Sequence, residues 1–201
     1  MLSEGLRKTL VTTGSEDNVV VLRKSAGVEV QSGIDRLDAS IIDGHADTLF
    51  GVDGRRLIAK ELVVLISLNK RLSNKPSTVV IRGVNDRSFA LRPEVRLARG
   101  RLPRAASTEI VVGRQLERRF EGTAVGQRLH FAMRDWIVVG VIDAGNRGFS
   151  SEIWGDVDVL MQSFRRNSYS SIIFKLKDSA SFELIAERLT ADPRLKIDVK
   201  R

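Results

Sequence analysis

Thr78 to Asp158 reads TVVIRGVNDRSFALRPEVRLARGRLPRAASTEIVVGRQLERRFEGTAVGQRLHFAMRDWIVVGVIDAGNRGFSSEIWGDVD. Short valine-rich runs separated by Gly, Pro and polar residues mark strands at Thr78–Arg82, Glu109–Val112, Arg128–Phe131 and Trp136–Ile142. Met133, Arg134 and Asp135 are expected to turn a hairpin that makes the last two antiparallel. Between them Arg114–Phe120 is predicted as a short helix, with Leu116 and Phe120 facing inward and Gly122 beyond its end. The alternation of Asp156 and Asp158 predicts one face of a further extended segment.

On either side the texture changes. Toward the N-terminus, Leu2, Leu6 and Leu10 recur at helical spacing, so Ser3–Val11 is predicted helical with Gly14 as a stop. Asn18–Arg23 (NVVVLR) is short and almost wholly apolar, the pattern of a strand buried on both faces. Ser32 is the expected cap of a helix carrying Ile34, Leu37, Ile41 and Ile42 on one stripe. Ile58–Leu68 follows as a strand. The last third repeats the order: strand Ser170–Leu176, caps at Ser179 and Ser181, a helix with Phe182, Ile185, Ala186 and Leu189 on one face, then strand Leu195–Val199. Two β-α-β units thus flank a middle richer in Gly and Arg. The expected fold class is α+β, with a discontinuous layer over residues 1–75 plus 146–201 and a small α/β subdomain inserted at 76–145.

Composition narrows the function classes. The 201 residues suffice to bury a core. Net charge is +8, and the excess is local: residues 82–147 hold thirteen Arg, no Lys and seven acids, while all nine Lys lie elsewhere. Such a region suits nucleic acid, anionic lipid or an acidic protein. Aromatic residues make up only 5%, too few for base stacking, so no nucleic-acid partner is expected. The absence of cysteine excludes disulfides, thiolate metal sites and a cysteine nucleophile. No run approaches the roughly 18 apolar residues of a membrane span, and Met1–Leu10 (MLSEGLRKTL) lacks the apolar stretch of a signal peptide.

Candidate chemistry is sparse. Asp43, His45 and Asp47 alternate in DGHAD, but three donors in five residues do not encircle an ion without further ligands. His130 stands alone in a strand. GFSSE at Gly148–Glu152 lacks the second glycine of a nucleophile elbow. No phosphate-binding glycine loop is present. Asp156 and Asp158 have only Trp154 nearby as a sugar platform. The expectation is a protein with no catalytic residue, no metal and no cofactor.

Several short motifs in fixed order carry a resemblance. They are the Arg82-Gly83 turn, Gly100-Arg101-Leu102-Pro103, EIVVG at Glu109–Gly113 opening a helix, Val125-Gly126 with Leu129, and the W-x-VVGV strand from Trp136. TGSEDNVVVLRKSA at Thr13–Ala26 and Glu152-Ile153-Trp154 extend it over nearly the whole chain, and DGHADTLFGVDGRRLIAK at Asp43–Lys60 departs from it. In this order the chain resembles the extracytoplasmic core domain of ABC transporter permeases of the MacB/FtsX type. That resemblance implies a porter-like discontinuous subdomain, excised from between flanking membrane helices and lying in the periplasm or outside the cell. It implies a non-catalytic ectodomain that passes ATP-driven motion of the membrane helices to an extracytoplasmic partner or substrate. The implied partners are a second permease subunit, a cytoplasmic ATPase, and a periplasmic adaptor or carrier. An ectodomain of the lipoprotein-releasing type is the alternative, and a basic nucleic-acid-binding protein a remote one. Arg114, Arg118 and Arg119 on the inserted helix are the expected docking residues, because arginine's planar, weakly hydrated fork enters interfaces readily.

Overall fold

The computed structural model describes residues 17–45 and 48–201. The helix expected over Ser3–Val11 and the residue Asp47 lie outside them. The described residues form two compact units, one of residues 17–45, 48–61, 85–93 and 167–201, the other of 62–84 and 94–166.

The first unit is built on β1 (Asn18–Arg23), α1 (Arg36–His45), the opening of β2 (Ile58–Asn69), α2 (Asp86–Ala90), β9 (Ser171–Lys175), α5 (Phe182–Ala191) and β10 (Ile197–Lys200). Its strands lie in the order β10-β1-β9-β2, each antiparallel to its neighbour. β1 and β2 therefore run parallel with β9 between them, a split β-α-β, and β9-α5-β10 repeats it. Val20, Leu22, Ala59 and Ile173 pack with Leu57 and Leu91 on one face. Val19, Val21, Ile172 and Phe174 alternate to the other and are equally buried. That explains the near-continuous apolar run of β1.

Caps differ in detail from expectation. Ser32 Oγ accepts from Arg23 N instead of capping α1, and Asp35 takes that role, its Oδ1 accepting from Asp38 N at 2.8 Å. Ile34 pairs with Tyr169 ahead of the helix, and Leu37 faces solvent. Before α5 the cap is Asp178, which accepts from Ala180 N.

The second unit holds the rest of β2, β3 (Pro76–Val84), β4 (Arg96–Gly100), β5 (Glu109–Gly113), α3 (Arg114–Arg119), β6 (Arg128–Phe131), β7 (Arg134–Asp143), β8 (Glu152–Asp156) and α4 (Val157–Ser163). The order is β2-β3-β8-β5-β7-β4, with β6 also on β7; β3–β8 and β5–β7 are parallel and the remaining pairs antiparallel. Trp136, Trp154, Ile81, Ile110 and Ile153 are fully buried at its centre. Two glycines permit close packing. A Cβ on Gly113 would lie 2.3 Å from the Ser150 carbonyl oxygen, and one on Gly140 would lie 2.3 Å from that of Arg101.

Segments 62–75 and 146–166 thus belong with the middle of the chain, not with the discontinuous outer layer to which their sequence assigned them. The physical reason is strand pairing. The last eight residues of β2 pair with β3, and β8 lies between β3 and β5. Conversely, 85–93 leaves the insert for the first unit, tied there by Arg92 to Glu61 and by Asn18 Nδ2 donating to Leu91 O at 2.8 Å. The β6–β7 turn is Ala132-Met133, one residue earlier than expected, both with positive φ. Asp156 is not on a strand face shared with Asp158. It caps α4 by accepting from Val159 N, and Asp158 sits in that helix's first turn.

Candidate functional site

The arginines of the middle stretch define the candidate site, and the structure sorts them by depth. Two are buried. Arg82, on β3, donates from Nε to Glu152 Oε2 at 2.8 Å and from Nη2 to Oε1 at 3.1 Å, a fork-on-fork pair with both side chains 1% exposed. β3 and β8 are parallel and place Arg82 directly opposite Trp154. Trp154 Nε1 donates to the same Glu152 Oε2 at 2.7 Å, and its ring meets Phe149 edge-on at 5.6 Å. Arg82 in turn lies 5.5 Å over the Phe149 ring. Arg92, in the first unit, repeats the motif: Nη1 and Nη2 donate to Glu61 Oε1 and Oε2 at 2.6 and 2.9 Å, and Nη1 also to Ser88 O.

A second group is spent on surface pairs. Arg101 grips Glu109 in bidentate fashion, and that hydrogen bonding lowers the Glu109 carboxyl to about 2. Arg99 pairs with Glu117, Arg147 with Glu94, and Arg87 with Asp53 and Asp86. Arg114 pairs with Asp143, whose carboxyl is held low by the Gly145 backbone N–H first and by Arg114 with it.

The remaining six have no carboxylate partner among the described residues: Arg134 is half-buried and donates to Gln162 Oε1 at 2.9 Å, while Arg96, Arg104, Arg118, Arg119 and Arg128 are exposed. Arg118 and Arg119, on the outer side and C-terminal turn of α3, form no ion pair among the described residues. Leu116 and Phe120 bury the opposite side of that helix, as their spacing predicted. Beside its end sits the β2–β3 hairpin tip. Arg71 N donates to Arg119 O at 2.8 Å, and Arg71 Nη2 donates to Phe120 O at 3.1 Å. The guanidinium thereby satisfies helix-terminal carbonyls and complements the dipole. Leu72, next in the tip, is 98% exposed. Arg118, Arg119 and Leu72 form a basic tip with an apolar point. Sequence reasoning found the arginines and missed Arg71 and Leu72; the only signal was one apolar residue inside the polar turn Lys70-Arg71-Leu72-Ser73-Asn74-Lys75.

Asp43 accepts from Arg56 at 3.0 Å and faces Lys60 at 3.2 Å, while His45 Nε2 lies 3.4 Å from Asp192. The two turn away to different partners. His130 is exposed and hydrogen-bonds Asp135 at 2.7 Å. Ser150 Oγ is a buried link, accepting from Ala144 N and donating to Gly145 O. Among the described residues no helix is long and apolar enough to cross a membrane.

A fold of two units in which β1 and β10 lie side by side agrees with the comparisons. The family model for the MacB-like periplasmic core domain matches residues 1–192. This chain belongs to the MacB-like periplasmic core domain family. Solved structures give the same fold. The extracellular domain of the noncanonic ABC-type transporter YknZ from Gram-positive bacteria matches with a TM-score of 0.63 at 14% identity, over 92% of this chain and all of that one. The periplasmic region of MacB from Actinobacillus actinomycetemcomitans matches with 0.66 at 15%, over 94% and 89%. A domain of a putative permease from Porphyromonas gingivalis gives 0.55 at 12%, over 94% and 90%. No curated protein matches the chain. As a MacB-like periplasmic core domain, the chain is the periplasmic or extracellular part of an ABC transporter permease.

Proposed function

We propose that this MacB-like domain transmits ATP-driven movement of its transporter's membrane helices to an extracytoplasmic partner. We assign the docking of that partner to Arg118 and Arg119 with Leu72, and a lesser share to Arg114. The supporting observation is the pairing of β1 with β10, Val20 opposite Lys200. The start of β1 and the end of β10 lie side by side, as suits a domain threaded between two membrane helices. Motion of the pair then reaches the fold through adjacent strands rather than through a flexible tether. At the other unit, arginines without an internal carboxylate retain their charge for a partner. An acidic surface on an adaptor, carrier or cargo protein is the complementary chemistry. Arg114, already engaged by Asp143, has less to offer.

The test uses the full transporter. Arg118→Glu with Arg119→Glu is expected to leave assembly and ATP hydrolysis in place and to weaken partner capture or transport. Normal capture and transport by a correctly assembled double variant would reduce these arginines to a solvated face.

A further inference from the structure

The segment Asp43–Lys60 contains a hairpin with an unusual tip. Phe50 pairs with Arg56, Leu57 N donates to Leu49 O at 2.8 Å, and Gly51 N donates to Arg55 O at 2.7 Å. Gly54, at φ +71, closes the turn. At its crest Val52 is wholly exposed and Phe50 is 53% exposed. Asp53, the one carboxylate in the crest, is gripped by Arg55 and Arg87 and held far below the usual carboxylate range, chiefly by hydrogen bonding from Arg87. The hairpin is thus a fixed object with two apolar residues pointing into water and its own acid neutralised.

Its position gives the exposure meaning. Leu49 N donates to Lys175 O and Thr48 bridges Leu176, so the hairpin stands at the C-terminal end of β9. β9 is antiparallel to β1, with Asn18 opposite Lys175, and Leu176 N donates to Asp17 O. β10 ends at the same place. The hairpin, the start of β1 and the end of β10 therefore share one pole of the first unit. That pole is basic: Lys177 lies 5.9 Å over the Phe50 ring, and Lys175, Lys200 and Arg201 surround the strand ends. Asp17 and Asp178 are the opposing carboxylates, the first 3.9 Å from Lys175 and the second turned to cap a helical turn.

We infer that this pole rests on the membrane, with Phe50 and Val52 entering the interfacial region of an anionic bilayer and Lys177 and its neighbours facing lipid phosphates. The inference rests on the transporter reading, because that reading directs the start of β1 and the end of β10 toward membrane helices. The chemistry is that of a shallow interfacial anchor: apolar side chains dipping below the headgroups, cations at their level, and an aromatic ring under a lysine. Two residues give weak free binding. The membrane helices supply the proximity, so the hairpin has only to settle, not to recruit.

The chain lacks cysteine, so a single reporter is simple to place. Val52→Cys is labelled with the environment-sensitive dye NBD. The chain is then held on vesicles by a hexahistidine extension after Arg201, using nickel-chelating lipid in phosphatidylcholine with or without phosphatidylglycerol. Lys24→Cys, exposed at the opposite end of β1, serves as the control. The expected result is a blue-shifted, brighter emission at position 52 on vesicles containing phosphatidylglycerol, and an unshifted one at position 24. Lys177→Ala is expected to reduce the inserted fraction about fivefold, the equivalent of about 1 kcal/mol per surface cation. Equal emission at both positions would overturn the inference. So would a shift that arises without vesicles as protein concentration rises, since that would assign the pole to a second copy. The tether supplies the membrane attachment, so either failure leaves the transporter reading standing. A transporter unaffected by Arg118→Glu and Arg119→Glu would in turn leave this result untouched.

Discussion

Arg82 and Arg118 come from the same arginine-rich stretch and have opposite fates. Arg82 is closed between β3 and β8, forked onto a carboxylate that also receives a tryptophan N–H. Arg118 stands on a short helix with no carboxylate assigned to it. The difference lies in what each location does to charge. At the first, nearly every donor has to find an acceptor inside the protein, because an unpaired charge there costs several kcal/mol. At the second, water satisfies the guanidinium and a partner is free to replace that water. A net charge counted along the sequence mixes the two and overstates the positive surface. Most arginines of the stretch are already neutralised, by Glu152, Glu61, Glu109, Glu117, Glu94, Asp143 and the Asp53–Asp86 pair.

The sharpest way to break this contrast is to strand a buried charge. Glu152→Ala leaves Arg82 without its carboxylate and the indole of Trp154 without its acceptor. A loss of about 3–5 kcal/mol is expected, read by urea unfolding. Arg82→Met on top of Glu152→Gln should recover much of it, since the buried charge goes and an amide oxygen remains for the indole. An additive double variant would show that the two side chains do not act as a pair. Glu61→Ala should behave like Glu152→Ala, through Arg92. A smaller change isolates the neutral donor. Trp154→Phe removes one hydrogen bond to a charged acceptor and some volume, and about 1–3 kcal/mol is expected.

How much of this was legible beforehand follows the same division. Periodicity depends on apolar residues, so β1, α5, α3 and β7 could be read from NVVVLR, from Phe182–Leu189, from Leu116 with Phe120, and from WIVVGVI. β4 gave no such signal. Arg96–Gly100 is an edge strand exposed along its whole length, and RLARG carries no alternation of burial to detect. α2 is five residues long, defined by the Asn85–Ser88 capping box more than by any apolar stripe. The subdomain boundary was misplaced for a different reason: β2 is one continuous strand from Ile58 to Asn69, and no turn or break marks the change of pairing partner after Glu61. At the candidate site, composition pointed to arginine. Which arginines are buried depends on residues as distant as Glu152 from Arg82, and spacing does not report that.

Acid probes the middle of the range, where a pair is on the surface but well formed. Arg101 lowers the Glu109 carboxyl from the ordinary 4.5 to about 2 in the folded protein. A depressed folded pKa means that the unfolded chain takes up protons first. The pair's stabilisation is present above about pH 4.5 and is lost as pH falls from there toward about 2. Solvent screening keeps the effect small. Wild type and Glu109→Gln should therefore differ in unfolding midpoint at pH 6 and converge near pH 2.5. A difference that stays constant through that window would mean that the contact holds by shape and not by charge.

The smallest effect on stability belongs to the residues proposed to matter most for function. Arg118→Glu and Arg119→Glu remove two exposed cations and add two anions near the C-terminal end of α3. There the helix dipole disfavours negative charge by a few tenths of a kcal/mol per residue. Arg71, which donates to carbonyls at that end, offsets part of this as a nearby cation. Together the changes should cost no more than about 1 kcal/mol, well below the loss expected from Glu152→Ala. Denaturant titration of the double variant measures that directly, and the intact transporter reports partner capture. A loss of capture with stability nearly unchanged would separate the two uses of arginine in one stretch of chain. A loss of several kcal/mol would instead mean that Arg118 or Arg119 carries structure, and the contrast with Arg82 would fail.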